Sequence, residues 1–339
     1  MPVSSPDRRR NAVGPRACVC PIGSHAGSVI PDTLAVQSRF STVVGSPAIG
    51  GAVARALEGL LALLDLEELE VNVFRGRSPE DHRQRVFGGQ VAGQALVAAG
   101  RTVERGTTHS LHAYFLRPGD PAAPILYLVD RIRDGRTFTT RRVTGIQHGQ
   151  AIFALSASFQ PDERGPEHSA PMPPAPDPES LPSFSDWIAP RLSGMPDAVR
   201  EWFARDRPID VRPVEPTDPF HPERRPPRQR VWIRANGRLP DGLLIHQCVV
   251  AYASDLTLLD TATLPHAIAW NDTRYMMASL DHAMWYHRAF RADDWLLYDQ
   301  QSPVAHGARG FTMGHLFDRA GALVVSVVQE GLIRLVGRA

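Results

Sequence analysis

The sequence predicts an α+β protein built from two tandem units, each a helix wrapped by an antiparallel sheet. Three observations lead there. A glycine-marked helix is followed by four consecutive strand-like runs, where an alternating α/β protein would place a helix between strands. The same order returns in the second half of the chain. A proline-rich stretch of linker character separates the two.

Residues 1–52 are rich in Ser, Pro, Gly and Arg and show no hydrophobic period. Such a composition buries too little apolar surface to fold alone, so this segment reads as a disordered or mis-annotated N-terminal extension. Arg8-Arg9-Arg10 could open an export signal, but no sustained apolar run follows. The first repeat is read over residues 53–160. Its leading helix places Leu57, Leu60, Leu61 and Leu64 at the i, i+3, i+4, i+7 spacing of an amphipathic face. "VFGGQVAGQALVAAGRTV" predicts a second helix whose small residues permit close packing on a sheet. The strands "THSLHAYFLRP", "PILYLVDRIRDG", "FTTRRVTGIQHG" and "QAIFALSASFQ" follow, with "RDGRT" and "QHGQ" as turns.

Residues 161–226 are the proline-rich linker, with a short helix at "DAVREWFAR" and a strand at "IDVRPVEP". The second repeat is read over residues 227–339. "RQRVWIRANGRLPDG" is a strand ending in the Asn236-Gly237 turn, and the apolar run from His246 predicts a helix carrying Asp255. Strands follow at "YMMASLDHAMWYHRAF", "DWLLYDQQSPVAHG", "RGFTMGHLFDRAG" and "ALVVSVVQEGLIRLV". "HAYFLRP" from His112 aligns with "HAMWYHR" from His282, and "HGQAIFALSASF" aligns with "AGALVVSVVQEG", glycine on glycine. The two sheets are expected to pair edge to edge or face to face.

Composition excludes several functions. With 37 basic and 36 acidic side chains the formal net charge is +1, without the basic excess of a nucleic-acid binder. No apolar run reaches the roughly 20 residues of a membrane span. Cys18, Cys20 and Cys248 offer neither a disulfide framework nor a zinc spacing, which fits a reducing cytoplasm. No GxSxG elbow, Gly-rich phosphate loop or HExxH is present, so a Ser-His-Asp triad, phosphate cradling and a zincin site lack support. His109 with His112, and His282 with His287, are spaced as strand neighbours and have no nearby carboxylate or thiolate ligands, so no metal and no organic cofactor are expected.

The repeat isolates chemistry. Aligning "GQVAGQALVAA" with "HQCVVAYASDL" sets Ala98 against Asp255; the strand alignments set His109 against Ser279 and Ala157 against Gln329. The second copy thus has an acid, a hydroxyl and a carboxamide where the first lacks an equivalent set. At helical spacing Asp255 shares a face with Ala251, Tyr252, Leu258 and Leu259, which would desolvate it and make it a stronger base. Singly, each difference also fits a solvated edge or an outward-facing strand position.

"FRGRSPEDHRQRVFGGQVAGQAL", "HSLHAYFLRPGD", "RDGRTFTTRRV", "RQRVWIRANG", "YASDLTLL", "SLDHAMWYHR" and "VVQEG" resemble the acyl-CoA thioesterase II family, in the right order and over roughly residues 53–336. The resemblance implies a double hotdog fold and hydrolysis of fatty acyl-CoA; the composition, with a C-terminus "LVGRA" that is not a Ser-Lys-Leu-type address, points to a bacterial cytoplasmic enzyme of fatty-acid turnover. The resemblance implies too that Asp255, Ser279 and Gln329 hold the hydrolytic water. Ser279 departs from the Thr of some members, keeping the hydroxyl and losing a methyl that restricts its rotamer. A homodimer or homotetramer is expected. Backbone amides at the first helix's N-terminus, Gly89 and Gln90 of "FGGQ", are candidate oxyanion donors. A hotdog enoyl-CoA hydratase would call for D-x-N-P-x-H, which "DLTLLDTATLPH" does not match. A non-catalytic acyl-CoA binding protein would tolerate loss of the three side chains.

Overall fold

The computed structural model describes residues 52–79 and 84–336; almost all of the expected N-terminal extension lies outside them. The first half runs α1 (Ala52–Leu64), β1 (Glu67–Glu70), β2 (Val73–Gly76), α2 (Gly88–Arg101), β3 (Thr107–Phe115), β4 (Ile125–Asp134), β5 (Thr139–Gln147) and β6 (Gln150–Gln160). Then come α3 (Phe184–Ile188), α4 (Asp197–Ala204) and β7 (Ile209–Pro213). The second half runs β8 (Arg228–Ala235), α5 (Leu243–Ser254), a 3-10 turn (Leu259–Ala262), β9 (Tyr275–Ser279), β10 (Asp281–Tyr286), β11 (Leu296–His306), β12 (Arg309–Asp318) and β13 (Leu323–Leu335).

The strands form one antiparallel sheet ordered β1-β2-β4-β5-β6-β3-β10-β13-β12-β11-β8-β7, with β9 also on β13. From the β3–β10 junction outward, β3-β6-β5-β4-β2 is matched by β10-β13-β12-β11-β8. Of the two packings expected, the halves therefore meet edge to edge, through pairs such as Ala283 with His112. This is the double hotdog arrangement.

Helices α2 and α5 lie inside the curl of this sheet. Residues 89–99 of α2 and 245–254 of α5 are all buried, polar side chains such as Gln90, Gln94, His246 and Gln247 included. They run antiparallel: Gly89 lies against Tyr252 and Gly100 against Leu244. A Cβ on Gly89 would stand 2.4 Å from the Tyr252 carbonyl oxygen, so only glycine allows the two backbones to meet there. The end of α5 is thereby seated on the start of α2. In α1, Leu57, Leu60 and Leu64 are buried in the same core, as their spacing predicts.

The proline-rich segment is not a free tether. Met172, Ala175 and Leu181 pack on Trp232, Trp295, Leu297 and Phe317, and the Trp232 indole donates to Pro176 O at 2.9 Å. It covers the outer face of the second half-sheet and adds core there.

Candidate active site

The run from His246 does not continue as helix past Asp255. Helix α5 ends at Ser254, and Asp255 is its C-cap, with φ −85° and ψ −2°. The i±3 and i±4 face inferred from an uninterrupted helix is therefore cut at this residue. A carboxylate at a helix C-terminus faces the negative end of the helix dipole, which is unfavourable. The N-terminus of α2 offsets this, because the antiparallel packing brings its positive end and its Gly89 amide to the Asp255 carboxylate.

Ser279 closes β9 opposite Gly331 of β13, and Gln329 lies two residues from Gly331 on the same face of that strand. The structure brings the three side chains into one hydrogen-bonded cluster. Ser279 Oγ donates to Asp255 Oδ1 at 3.1 Å, while Gln329 Nε2 donates to Asp255 Oδ1 and to Ser279 Oγ, each at 2.7 Å. Gln329 is fully buried, and its Oε1 has no partner among the described residues. The amide of Gly89 serves Asp255, while the side chain of Gln90 anchors the preceding segment by donating to Arg77 O at 3.1 Å and Ser78 Oγ at 3.2 Å.

Burial raises the Asp255 carboxyl to about 6, and the hydrogen bonds from Gln329, Ser279 and Gly89 restrain the rise. The carboxyl of Asp260, on the 3-10 turn, is raised by partial loss of hydration and by the charge of Asp255, although the residue remains exposed to solvent. Two carboxyls that sense one another titrate as a pair. Hydrolysis that needs ionised Asp255 is expected to decline as pH falls through about 6, and a pH–kcat/KM profile flat from pH 5 to 8 would reject that dependence.

Comparing the copies in space corrects the strand alignment. Ser279 opposes Gly331 and Thr108 opposes Phe159, and the last strands align Phe159 with Gly331. Leu116 N–H donates to Ile152 O and His287 N–H to Val324 O, which repeats the same offset at the other end of the strand. The counterpart of Ser279 is thus Thr108, not His109. His109 is the extra residue of a bulge between Thr108 and Ser110, and the shared His-Ala pair drew the alignment one residue out of step. The first copy keeps a hydroxyl and has buried Ala157 where the second has the carboxamide, while the helix alignment sets buried Ala98 against the acid.

Sequence reasoning did not single out Asp260 or Tyr298, and it weighed His282 only as a metal ligand. Tyr298 OH donates to Ser254 O at 3.2 Å, and Ser254 Oγ lies 2.9 Å from His282 Nε2. Burial lowers the His282 imidazole to about 4, so it is neutral at ordinary pH. An acid five residues after Asp255 was a readable signal for Asp260; the contacts of Tyr298 and His282 have none. A cavity of about 580 Å³ lies elsewhere, beside Trp295, Arg234, Arg291 and Arg319. Its guanidinium groups already pair with Asp210, Asp293 and Glu179.

Comparison with known proteins decides the family. The acyl-CoA thioesterase family matches residues 198–332, and the acyl-CoA thioesterase N-terminal domain family matches residues 78–160. Acyl-coenzyme A thioesterase 8 of Homo sapiens is 43% identical over 282 residues, covering 80% of this chain and 88% of that protein. The chain belongs to the acyl-CoA thioesterase II family. This thioesterase is also 39% identical to acyl-CoA thioesterase 2 of Haemophilus influenzae, over 82% of this chain and 98% of that one. The crystal structure of an acyl-CoA thioesterase II, TesB2 from Mycobacterium marinum, shares 46% identity with a TM-score of 0.67, covering 81% of this thioesterase and 98% of that chain. A hot dog fold protein from Alicyclobacillus acidocaldarius, at 19% identity and a TM-score of 0.66 over 81% and 98%, is a likeness of fold alone. The thioesterase is a thioester hydrolase. Among the described residues no helix is long and apolar enough to cross a membrane.

Proposed function

We propose that this chain hydrolyses acyl-CoA thioesters to free acid and CoA with a water held by Asp255, Ser279 and Gln329. The observation that carries the reading is the closed hydrogen-bond cluster of the three side chains. Ser279 and Gln329 both spend donors on Asp255 Oδ1, which orients the carboxylate and leaves Oδ2 toward Gly88. The buried Gln329 Oε1 is a second acceptor that a water O–H satisfies. Asp255 takes a proton from that water as its oxygen attacks the thioester carbonyl carbon. The tetrahedral oxyanion then collapses, the C–S bond breaks, and the proton passes to the leaving thiolate. Ser279 and Gln329 cannot act as bases at neutral pH and serve by orientation.

The oxyanion needs N–H donors, and the first turn of α2 supplies amides without an intrahelical acceptor. Gly89 already donates to Asp255, so the Gln90 amide is the better placed of the two nominated donors. Residues 53–160 and 227–339 are read as the two hotdog repeats, joined by residues 161–226, with the reactive side chains in the second. A cytoplasmic role in fatty-acid turnover, as a homodimer or homotetramer, completes the proposal. Light scattering that returns a monomer mass would reject the assembly.

The deciding assay is release of free thiol from palmitoyl-CoA and from short- and medium-chain acyl-CoA, by wild type and by Asp255→Asn. Turnover by wild type with loss in the variant is expected. Binding without turnover across all chain lengths would favour a non-catalytic acyl-CoA binding protein.

A further inference from the structure

Helix α5 ends one residue before Asp255, so helical hydrogen bonding does not by itself hold that residue. Strand β11 does much of the holding. Its residues Tyr298 and Gln300 share a face and are both fully buried. Tyr298 OH donates to Ser254 O at 3.2 Å, one residue before Asp255. Gln300 Nε2 donates to Thr257 Oγ1 at 2.7 Å, two residues after it. Gln300 Oε1 accepts from Gln229 Nε2 at 2.8 Å and from Thr261 Oγ1 at 3.1 Å, and Gln229 Nε2 also donates to Thr257 O at 2.9 Å.

A carboxamide in a dry interior costs free energy unless it is fully bonded, and an apolar side chain of similar length would fill the same volume. Gln300 is bonded at both ends, and those bonds converge on one turn, Thr257 to Thr261, and on Gln229, which itself holds Thr257. Gly314, across from β11, reinforces the grip: a Cβ there would stand 2.4 Å from the Tyr298 ring. The chain is therefore pinned immediately before and after Asp255, from a strand that contributes none of the three clustered side chains.

We propose that Tyr298 and Gln300 are positioning residues for hydrolysis, acting through Asp255 by fixing the turn that carries it. This rests on the assignment of Asp255 as the base. Tyr298→Phe removes only a hydroxyl, and Gln300→Met keeps length while removing every bond. Each is expected to lower kcat about tenfold with KM within about twofold of wild type, since small displacements of a catalytic group are costly. Thr257→Val is expected to match Gln300→Met, and Thr257→Ser, which keeps the hydroxyl, to stay near wild type; this pair carries the test if Gln300→Met does not fold.

The discriminating measurement is a mutant cycle with Asp255→Asn, read by single-turnover thiol release at high enzyme concentration. A residue that works through Asp255 adds no further loss in that background. Losses that multiply in the double variant overturn the proposal, as does wild-type kcat in Tyr298→Phe and Gln300→Met while Asp255→Asn is impaired. Wild-type rate in Asp255→Asn would instead remove the base assignment, and the proposal with it.

Discussion

Replacing Asp255 with Asn is expected to lower kcat for acyl-CoA hydrolysis by about 10²- to 10⁴-fold, the range typical of a lost general base. The substitution keeps size and one acceptor oxygen, so Ser279 and Gln329 can still donate to it. What disappears is the group that removes the water proton. The same variant is expected to be more stable near neutral pH. A folded-state carboxyl at about 6, against about 4 in the unfolded chain, contributes stability that is full below pH 4 and is lost as pH rises through 6. Two pKa units amount to about 3 kcal/mol, which bounds the gain from neutralising the side chain. Thermal unfolding at pH 7.5 checks this: a variant melting below wild type would show that the carboxylate is not under strain in the fold.

Gly89→Ala is expected to damage both fold and activity. Its Cβ would lie 2.4 Å from the Tyr252 carbonyl oxygen and 2.6 Å from the Phe87 ring, so α2 must move away from α5. Overpacking of this kind costs roughly 1–3 kcal/mol, and a chain of this size loses about 1–2 °C of Tm per kcal/mol. Moving α2 also draws the Gly89 amide from Asp255, so kcat is expected to fall more than tenfold. Gly59→Ala is the control. Nothing lies within 4 Å of a Cβ there, in the middle of α1, and alanine is expected to be neutral or to stabilise by about 0.5–1 kcal/mol. Equal Tm values for the two variants would contradict the backbone contact between the helices.

Much of the architecture was legible because periodicity reports directly on burial. The Leu57, Leu60 and Leu64 stripe, the small-residue helix after "FGGQ" and the strand runs each encode a face that has to be covered. The doubling of these elements gave the α+β class, and the departure of one copy from the other drew attention to Asp255 and Gln329. The strand alignment slipped at Ser279 because pairing the two His-Ala dipeptides set it one residue out of step along the whole strand, and one residue exchanges the faces of a strand. Thr108, the true counterpart, could not be separated from His109 without the ladder that pairs it with Phe159.

By itself the sequence determined the family and most of the order of elements, and it pointed to the acid, hydroxyl and carboxamide that the fold brings into one cluster. These are properties of residue type and spacing along one chain. Only the tertiary structure decided that Asp255 caps its helix, that the start of α2 lies beside it, and that Tyr298 and Gln300 pin the turn. The physical reason is separation along the chain. The Gly89 amide, the Gln329 carboxamide and the Tyr298 hydroxyl come from three distant segments, and the carboxyl's environment exists only once folding has brought them together.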